Sequence, residues 1–148
     1  MFSQPIKYVM ERKKLLTAPP DKTVAQVAKQ MAKRKVGAVL IVDNDRLVGI
    51  FTERDALVRV IAQDRDSRQS RLVDVMTPSP VTVSPDKPFG YALLLMHENG
   101  FRHLPVIQDG KLVGIVSARN ALDPDLEEFV SEAQRREQFQ RERDRSGW

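Results

Sequence analysis

Gly49-Ile50-Phe51-Thr52-Glu53-Arg54-Asp55 and Gly114-Ile115-Val116-Ser117-Ala118-Arg119-Asn120 are two versions of one stretch. The offset between them is 65 residues, and it holds without a gap in both directions. Upstream, Thr17 meets Thr82, Pro20-Asp21-Lys22 meets Pro85-Asp86-Lys87, Met31 meets Met96, and Leu47-Val48 meets Leu112-Val113. Downstream, Ala56-Leu57 meets Ala121-Leu122. Self-similarity at a fixed period marks a duplicated unit. The chain divides into a first repeat over 6–62, a polar linker over 63–71, a second repeat over 72–122 and a tail over 123–148.

Each repeat has the same order of elements. Val24, Val27, Ala28 and Met31 recur at helical spacing and form one apolar face, and Phe89, Ala92, Leu93 and Met96 take the same registers in the second repeat. Asp21 and Asp86 precede these helices as caps. A short apolar run follows, Val36 to Val42 or Leu104 to Ile107. Next come a turn (Asp43-Asn44-Asp45 or Gln108-Asp109-Gly110) and a second strand, Leu47 to Phe51 or Leu112 to Val116. A helix then opens at Thr52 or Ser117, and a short strand near Thr17 or Val81 begins the unit. The fold class is a mixed α+β one, each repeat a small three-stranded sheet with two helices. One copy is too small to bury its own core well. Two copies packed together, with pseudo-two-fold symmetry, solve that.

The bulk composition narrows the function classes. The 148 residues are 41% hydrophobic and 30% charged, which suits a soluble globular chain. No apolar run approaches the roughly 20 residues that span a bilayer. The basic N-terminus has no apolar segment behind it, so it does not read as an export signal, and a cytoplasmic location is expected. The absence of cysteine removes disulfides, thiolate nucleophiles and Cys-based metal sites. The formal charge of +4 is concentrated at Lys7, Arg12, Lys13 and Lys14 and at Lys29, Lys33, Arg34 and Lys35. A solvated face is the favoured reading. A polyanion site is disfavoured, because no aromatic residues interleave with these cations to stack on bases.

The pattern Gly-x-x-Thr/Ser-x-x-Asp carries the chemistry. A helix N-terminus exposes unpaired N–H groups and favours an anion. A hydroxyl at Thr52 or Ser117 can bond a phosphate oxygen, and the Asp55 carboxylate can accept from both hydroxyls of a vicinal diol such as a ribose. The same Thr-x-x-Asp spacing also describes a capping box that only satisfies the helix end. Both readings stand at this level. An enzyme is not expected: the chain has two histidines, no Gly-rich phosphate loop, and no spacing that resembles a metal site.

These motifs together resemble the CBS domain family. The resemblance rests on the two strand-to-helix turns, on Phe101-Arg102-His103-Leu104-Pro105-Val106, and on Val75-Met76-Thr77-Pro78 at the start of the second repeat. It covers residues 6 to 122. It implies a stand-alone CBS pair, associated as a homodimer, that binds AMP, ADP or ATP, or alternatively NAD or S-adenosylmethionine, in clefts between the repeats. By that resemblance Asp55 holds the ribose and Thr52 a phosphate or ribose oxygen. Val36, Gly37 and Ala38 lie against the adenine, and Thr17 and Thr82 border the base. Ser117 takes the place of Thr52. Arg102 and His103, with Leu104 and Pro105 on the same strand, belong to the ligand-binding set, the first two as phosphate contacts. For His103 a purely structural role is the alternative. Arg54 and Arg119 are either solvated or neutralise phosphates.

The chain departs from the family pattern at two places. Asn120 stands where the second repeat should have Asp, and an amide cannot accept twice from a diol as a carboxylate can. Gly37 and Ala38 stand opposite Arg102 and His103, so the first repeat brings no matching cation. The better cleft is therefore expected to combine Asp55 and Thr52 with Arg102 and His103. His97 has no assigned role. In the tail, Leu126, Phe129, Val130 and Ala133, extended by Phe139, form a narrow apolar stripe. It packs either on its own module or on a second copy or partner, and Arg143 to Trp148 are expected to fray. The expected function is a ligand-sensing regulatory module that acts on another protein. The alternative is a nucleotide-independent adaptor for a protein or nucleic acid.

Overall fold

The computed structural model describes residues 2–121 and 123–145, over 123–131 as backbone only. In the first repeat, β1 (Thr17–Ala18) runs parallel to β2 (Ala38–Asp43), and β2 pairs antiparallel with β3 (Arg46–Thr52). Helix α1 (Val24–Arg34) connects β1 to β2, and α2 (Glu53–Asp55) leaves β3 and continues as wider π-type turns over Ala56–Ile61. Helix α3 (Leu72–Val75) and strand β4 (Thr77–Pro78) follow the linker. The second repeat consists of α4 (Phe89–Asn99), β5 (His103–Gln108) and β6 (Lys111–Ser117), followed by a 3-10 turn over Ala118–Ala121 and the long helix α5 (Asp123–Arg145).

The duplication extends to the registers. Leu40 faces Ile50 as Pro105 faces Ile115, and both hairpins are irregular at the same place, after Ile41 and after Val106. Both hairpin turns need left-handed backbone at two successive residues, which two-residue hairpin loops favour. Asn44 and Asp45 take φ of 48° and 61°, and Asp109 and Gly110 take 51° and 76°.

The expected three strands per repeat are met differently in the two halves. The first sheet has four strands, because β4, which comes after the linker, pairs antiparallel with β3. In the second, β5 and β6 carry single bridges instead, Val83 to Val106 in parallel and Glu11 to Ile115 in antiparallel. Each repeat thus receives the lead-in segment of the other. Ile6 is wholly buried among Val83, Phe89, Leu104 and Val116 of the second repeat, while Leu72, Val75 and Met76 lie in the first core with Val27 and Phe51. Ile6 N–H donates to Lys87 O at 2.9 Å, Lys7 N–H to Pro85 O at 2.9 Å, and Lys7 pairs with Asp86 at 3.2 Å.

A one-residue slip hid this exchange from the sequence. Val9-Met10 and Val75-Met76 are equivalent, but they stand 66 residues apart, one outside the gapless register. Each methionine lies over the glycine of the opposite repeat. A Cβ on Gly114 would stand 2.6 Å from Met10 Sδ, and one on Gly49 would strike Met76 Sδ. Glycine is needed at both positions for this close approach.

Two expectations about the helices are corrected. Asp21 and Asp86 are not the caps. Thr23 caps α1 in a reciprocal box: Gln26 N–H donates to Thr23 Oγ1 at 3.3 Å, and Thr23 N–H donates to Gln26 Oε1 at 3.0 Å. Helix α4 starts after Pro88 without a side-chain cap, and Asp86 meets Lys7 instead. Ala28 is exposed, so the buried face of α1 is Val24, Val27 and Met31. Lys29, Lys33, Arg34 and Lys35 are exposed, as a solvated face requires.

The two sheets meet face to face. Ala38, Leu40 and Ile50 are buried there, with Leu15, Leu47, Leu112 and Ile115 packed around them. This shared cluster brings the strand-to-helix turns of both repeats to the junction. In the tail, Ala133 is half-buried and Phe139 is 66% exposed, so Phe139 does not extend a buried stripe within the chain. Leu122 and the side chains of Leu126, Phe129 and Val130 lie outside the described residues. Helix α5 continues through Arg143 to Arg145, beyond the expected point of fraying.

Candidate functional site

The turn after β3 is a closed capping box. Thr52 N–H donates to Asp55 Oδ2 at 2.9 Å and Thr52 Oγ1 donates to the same oxygen at 3.2 Å, while Asp55 N–H donates to Thr52 Oγ1 at 3.4 Å. The other carboxylate oxygen faces the lead-in of the second repeat. Thr77 Oγ1 donates to Asp55 Oδ1 at 3.5 Å and Arg59 Nε lies 3.5 Å from it. Arg59 also donates to Met76 O at 2.7 Å. The Asp55 side chain is only 13% exposed, so these donors rather than water meet its oxygens. Glu53 N–H donates to Gly37 O at 3.1 Å, which ties the turn to the segment before β2.

The turn after β6 repeats the geometry with neutral groups. Ser117 N–H and Ser117 Oγ donate to Asn120 Oδ1 at 2.7 and 3.2 Å, and Ala118 N–H donates to Arg102 O at 2.9 Å. The amide oxygen therefore does the capping work of Asp55 Oδ2. An Asn at this position preserves the turn but brings no charge.

The first turn reaches across to the second repeat. Arg54 donates to Gly100 O, at the C-terminal end of α4, at 2.9 Å. Glu53 lies close enough to His103 to act on its charge. Thr52, Glu53, Arg54 and Asp55 thus stand opposite the segment Gly100 to His103. A depression of about 330 Å³ is lined by Val58, Arg59, Gln63, Arg65, Asp74 and Val75 and includes none of the expected site residues. Among the described residues, no cluster of three or more His, Asp or Glu is placed to hold a metal ion, and no helix is long and apolar enough to cross a membrane.

The CBS domain family model matches residues 6–62 and 72–125. The chain belongs to the CBS domain family. It is 37% identical over 120 residues to the CBS domain-containing protein CBSX3, mitochondrial, of Arabidopsis thaliana, covering 78% of this chain and 58% of the relative. A CBS domain protein from Pyrobaculum aerophilum complexed with AMP superposes with a TM-score of 0.72 at 27% identity, covering 79% of this chain and 89% of that one. The CBS domain pair of protein MJ0100, in complex with 5′-methylthioadenosine and S-adenosyl-L-methionine, gives 0.72 at 25% identity, covering 80% of this chain and 92% of the other. The chain spans only 58% of the length of each of the first curated relatives it matches.

Within this CBS pair the expected site residues separate. Thr52, Asp55 and Gly37 meet at the first turn, with Arg54 bridging to Gly100 and so to Arg102 and His103, while Val36 packs against the first core. Ala38 is buried in the cluster between the sheets, and Leu104, 1% exposed, and Pro105 are buried in the second repeat. Thr17 and Thr82 are exposed beside β1 and its counterpart bridge, and Arg119 is exposed beside the half-buried Ser117 and Asn120. His97 is exposed on α4. The sequence reading missed Glu53, Arg59 and Thr77. The acid at Glu53, inside the quoted motif, and Arg59, four residues after Asp55, were the available signals.

Burial holds the His103 pKa below the ordinary imidazole range; Glu53 opposes this shift and Arg102 adds to it. His103 is thus neutral near pH 7. Because its folded pKa lies below the unfolded value, its contribution to stability is complete above about pH 6.5 and is lost as the pH falls through the depressed value. The melting temperature is expected to fall between about pH 7.5 and about pH 5.5, with a shallower fall in His103→Gln. An identical slope in the variant would contradict this assignment.

Proposed function

We propose that this CBS pair is a regulatory, non-catalytic module that binds an adenosine-containing ligand (AMP, ADP or ATP, with NAD and S-adenosylmethionine as further candidates) between its repeats. The observation that carries the reading is the Thr52–Asp55 turn, a carboxylate held at the junction opposite the Gly100 to His103 segment. The AMP and S-adenosyl-L-methionine complexes of similar CBS pairs support it. A ribose diol arriving at Asp55 would compete with Thr77 and Arg59 for Oδ1, and Arg59 also holds Met76 O. Ligand occupancy would then act on the lead-in that crosses between the repeats. A ligand shifts such an arrangement only by its differential affinity for the two states. Leu57, Val58 and Ile61, 58%, 49% and 66% exposed on the turns that continue α2, support pairing with a second copy in a homodimer. The regulated protein would read the change.

A thermal-shift panel of AMP, ADP, ATP, NAD and S-adenosylmethionine tests this reading. A ligand at a hundred times its dissociation constant should add about 2.7 kcal/mol of apparent stability. A selective upward shift identifies the ligand. No shift with any of the five would favour the adaptor reading.

A further inference from the structure

The two turns are chemically unequal. The first carries Glu53 and Asp55; the second has Ala118 and Asn120 at the same registers and no carboxylate. Asp55 is engaged by Thr52 within its turn, and by Arg59 and Thr77 from outside it. Glu53 is exposed, and its carboxylate lies over Gly37, in the space that a Cβ there would need, and acts on His103 across the junction. Gly37 leaves room for this acid.

The groups that would welcome a chain of phosphates are already in use. The N–H groups of Thr52, Glu53 and Asp55 donate to Asp55 Oδ2, Gly37 O and Thr52 Oγ1. Arg59 holds Asp55 and Met76 O, and Arg54 holds Gly100 O. His103 is neutral near pH 7, for the reason given above. Arg102, exposed beside His103, and Arg54, whose charge the neutral Gly100 carbonyl leaves in place, are the cations of these two segments. Glu53 offsets one of these two cations and so lowers the attraction for the several charges of a polyphosphate.

We propose that Glu53 is a specificity-determining residue: it selects, at the first turn, adenosine-containing ligands with little negative charge and works against di- and triphosphates. This rests on the nucleotide-binding reading above, and the test separates the two. Adenosine and magnesium-free ATP are titrated by calorimetry into the full chain and into Glu53→Gln, which keeps the shape over Gly37. The unvaried protein should bind adenosine more tightly than ATP. Glu53→Gln should tighten ATP roughly fivefold or more and change adenosine less than about twofold. An unchanged ratio of the two affinities in Glu53→Gln, or tighter binding of ATP than adenosine by the unvaried protein, overturns the role of Glu53 and leaves nucleotide binding intact. Binding of neither ligand by either protein overturns the role of Glu53, and overturns nucleotide binding as well if AMP, NAD and S-adenosylmethionine also fail to bind.

Discussion

Ile6→Ala is expected to cost about 2–5 kcal/mol and to loosen the second repeat, although Ile6 opens the first. The side chain is fully buried against Val83, Phe89, Leu104, Val106 and Val116, and its own backbone N–H is bonded to Lys87 O. Alanine would leave a cavity in the second core and touch nothing in the first. Leu72→Ala should mirror it: Leu72 is equally buried, but in the first core with Val27, Phe51 and Val75. Denaturant unfolding gives the magnitude. Hydrogen exchange gives the location, because sub-global opening reports which unit has been weakened. Ile6→Ala should raise exchange in the β5–β6 hairpin and Leu72→Ala in the β2–β3 hairpin. Faster exchange of β2–β3 in Ile6→Ala would contradict the exchange of lead-in segments.

That exchange shows where sequence reading reached and where it stopped. The duplication, the hairpins and the turns at Thr52 and Ser117 were legible because they depend on local chemistry, such as apolar periodicity, turn residues and a hydroxyl three residues before an acid or amide. The lead-ins were not, because their partners are distant in sequence and their own repeat is shifted by one residue. Asp21 suits a cap by residue type alone, whereas Thr23, with Gln26 three residues on, offers the complete reciprocal pair. At the site, Asp55 was legible as the chemically distinctive group of its motif. Its engagement by Thr77 and Arg59 was not, since Thr77 reaches it only through the crossing lead-in. Leu104 and Ala38 stand in the motifs by position, whereas burial commits their side chains to packing.

The second repeat supplies the cleanest probe of the first. Asn120 shows that an amide oxygen can accept from both the backbone and the hydroxyl of the residue three before it. Asp55→Asn should therefore keep the turn closed and the protein folded while removing the charge offered to a ribose. Asp55→Ala would be less informative, because it also removes the reciprocal half of the capping box, the acceptor for the Thr52 N–H. Hydrogen bonds to a charged acceptor contribute about 1.5–3 kcal/mol, so the change should weaken binding roughly tenfold to a hundredfold. The direct test is calorimetric titration of AMP into the full chain and into Asp55→Asn, with the far-UV spectrum and melting curve of each recorded alongside. The account predicts binding by the unvaried protein, weakened by at least about tenfold in a variant that melts as a folded protein. Equal AMP affinity in the two proteins, both folded, would contradict a ligand site built on Asp55.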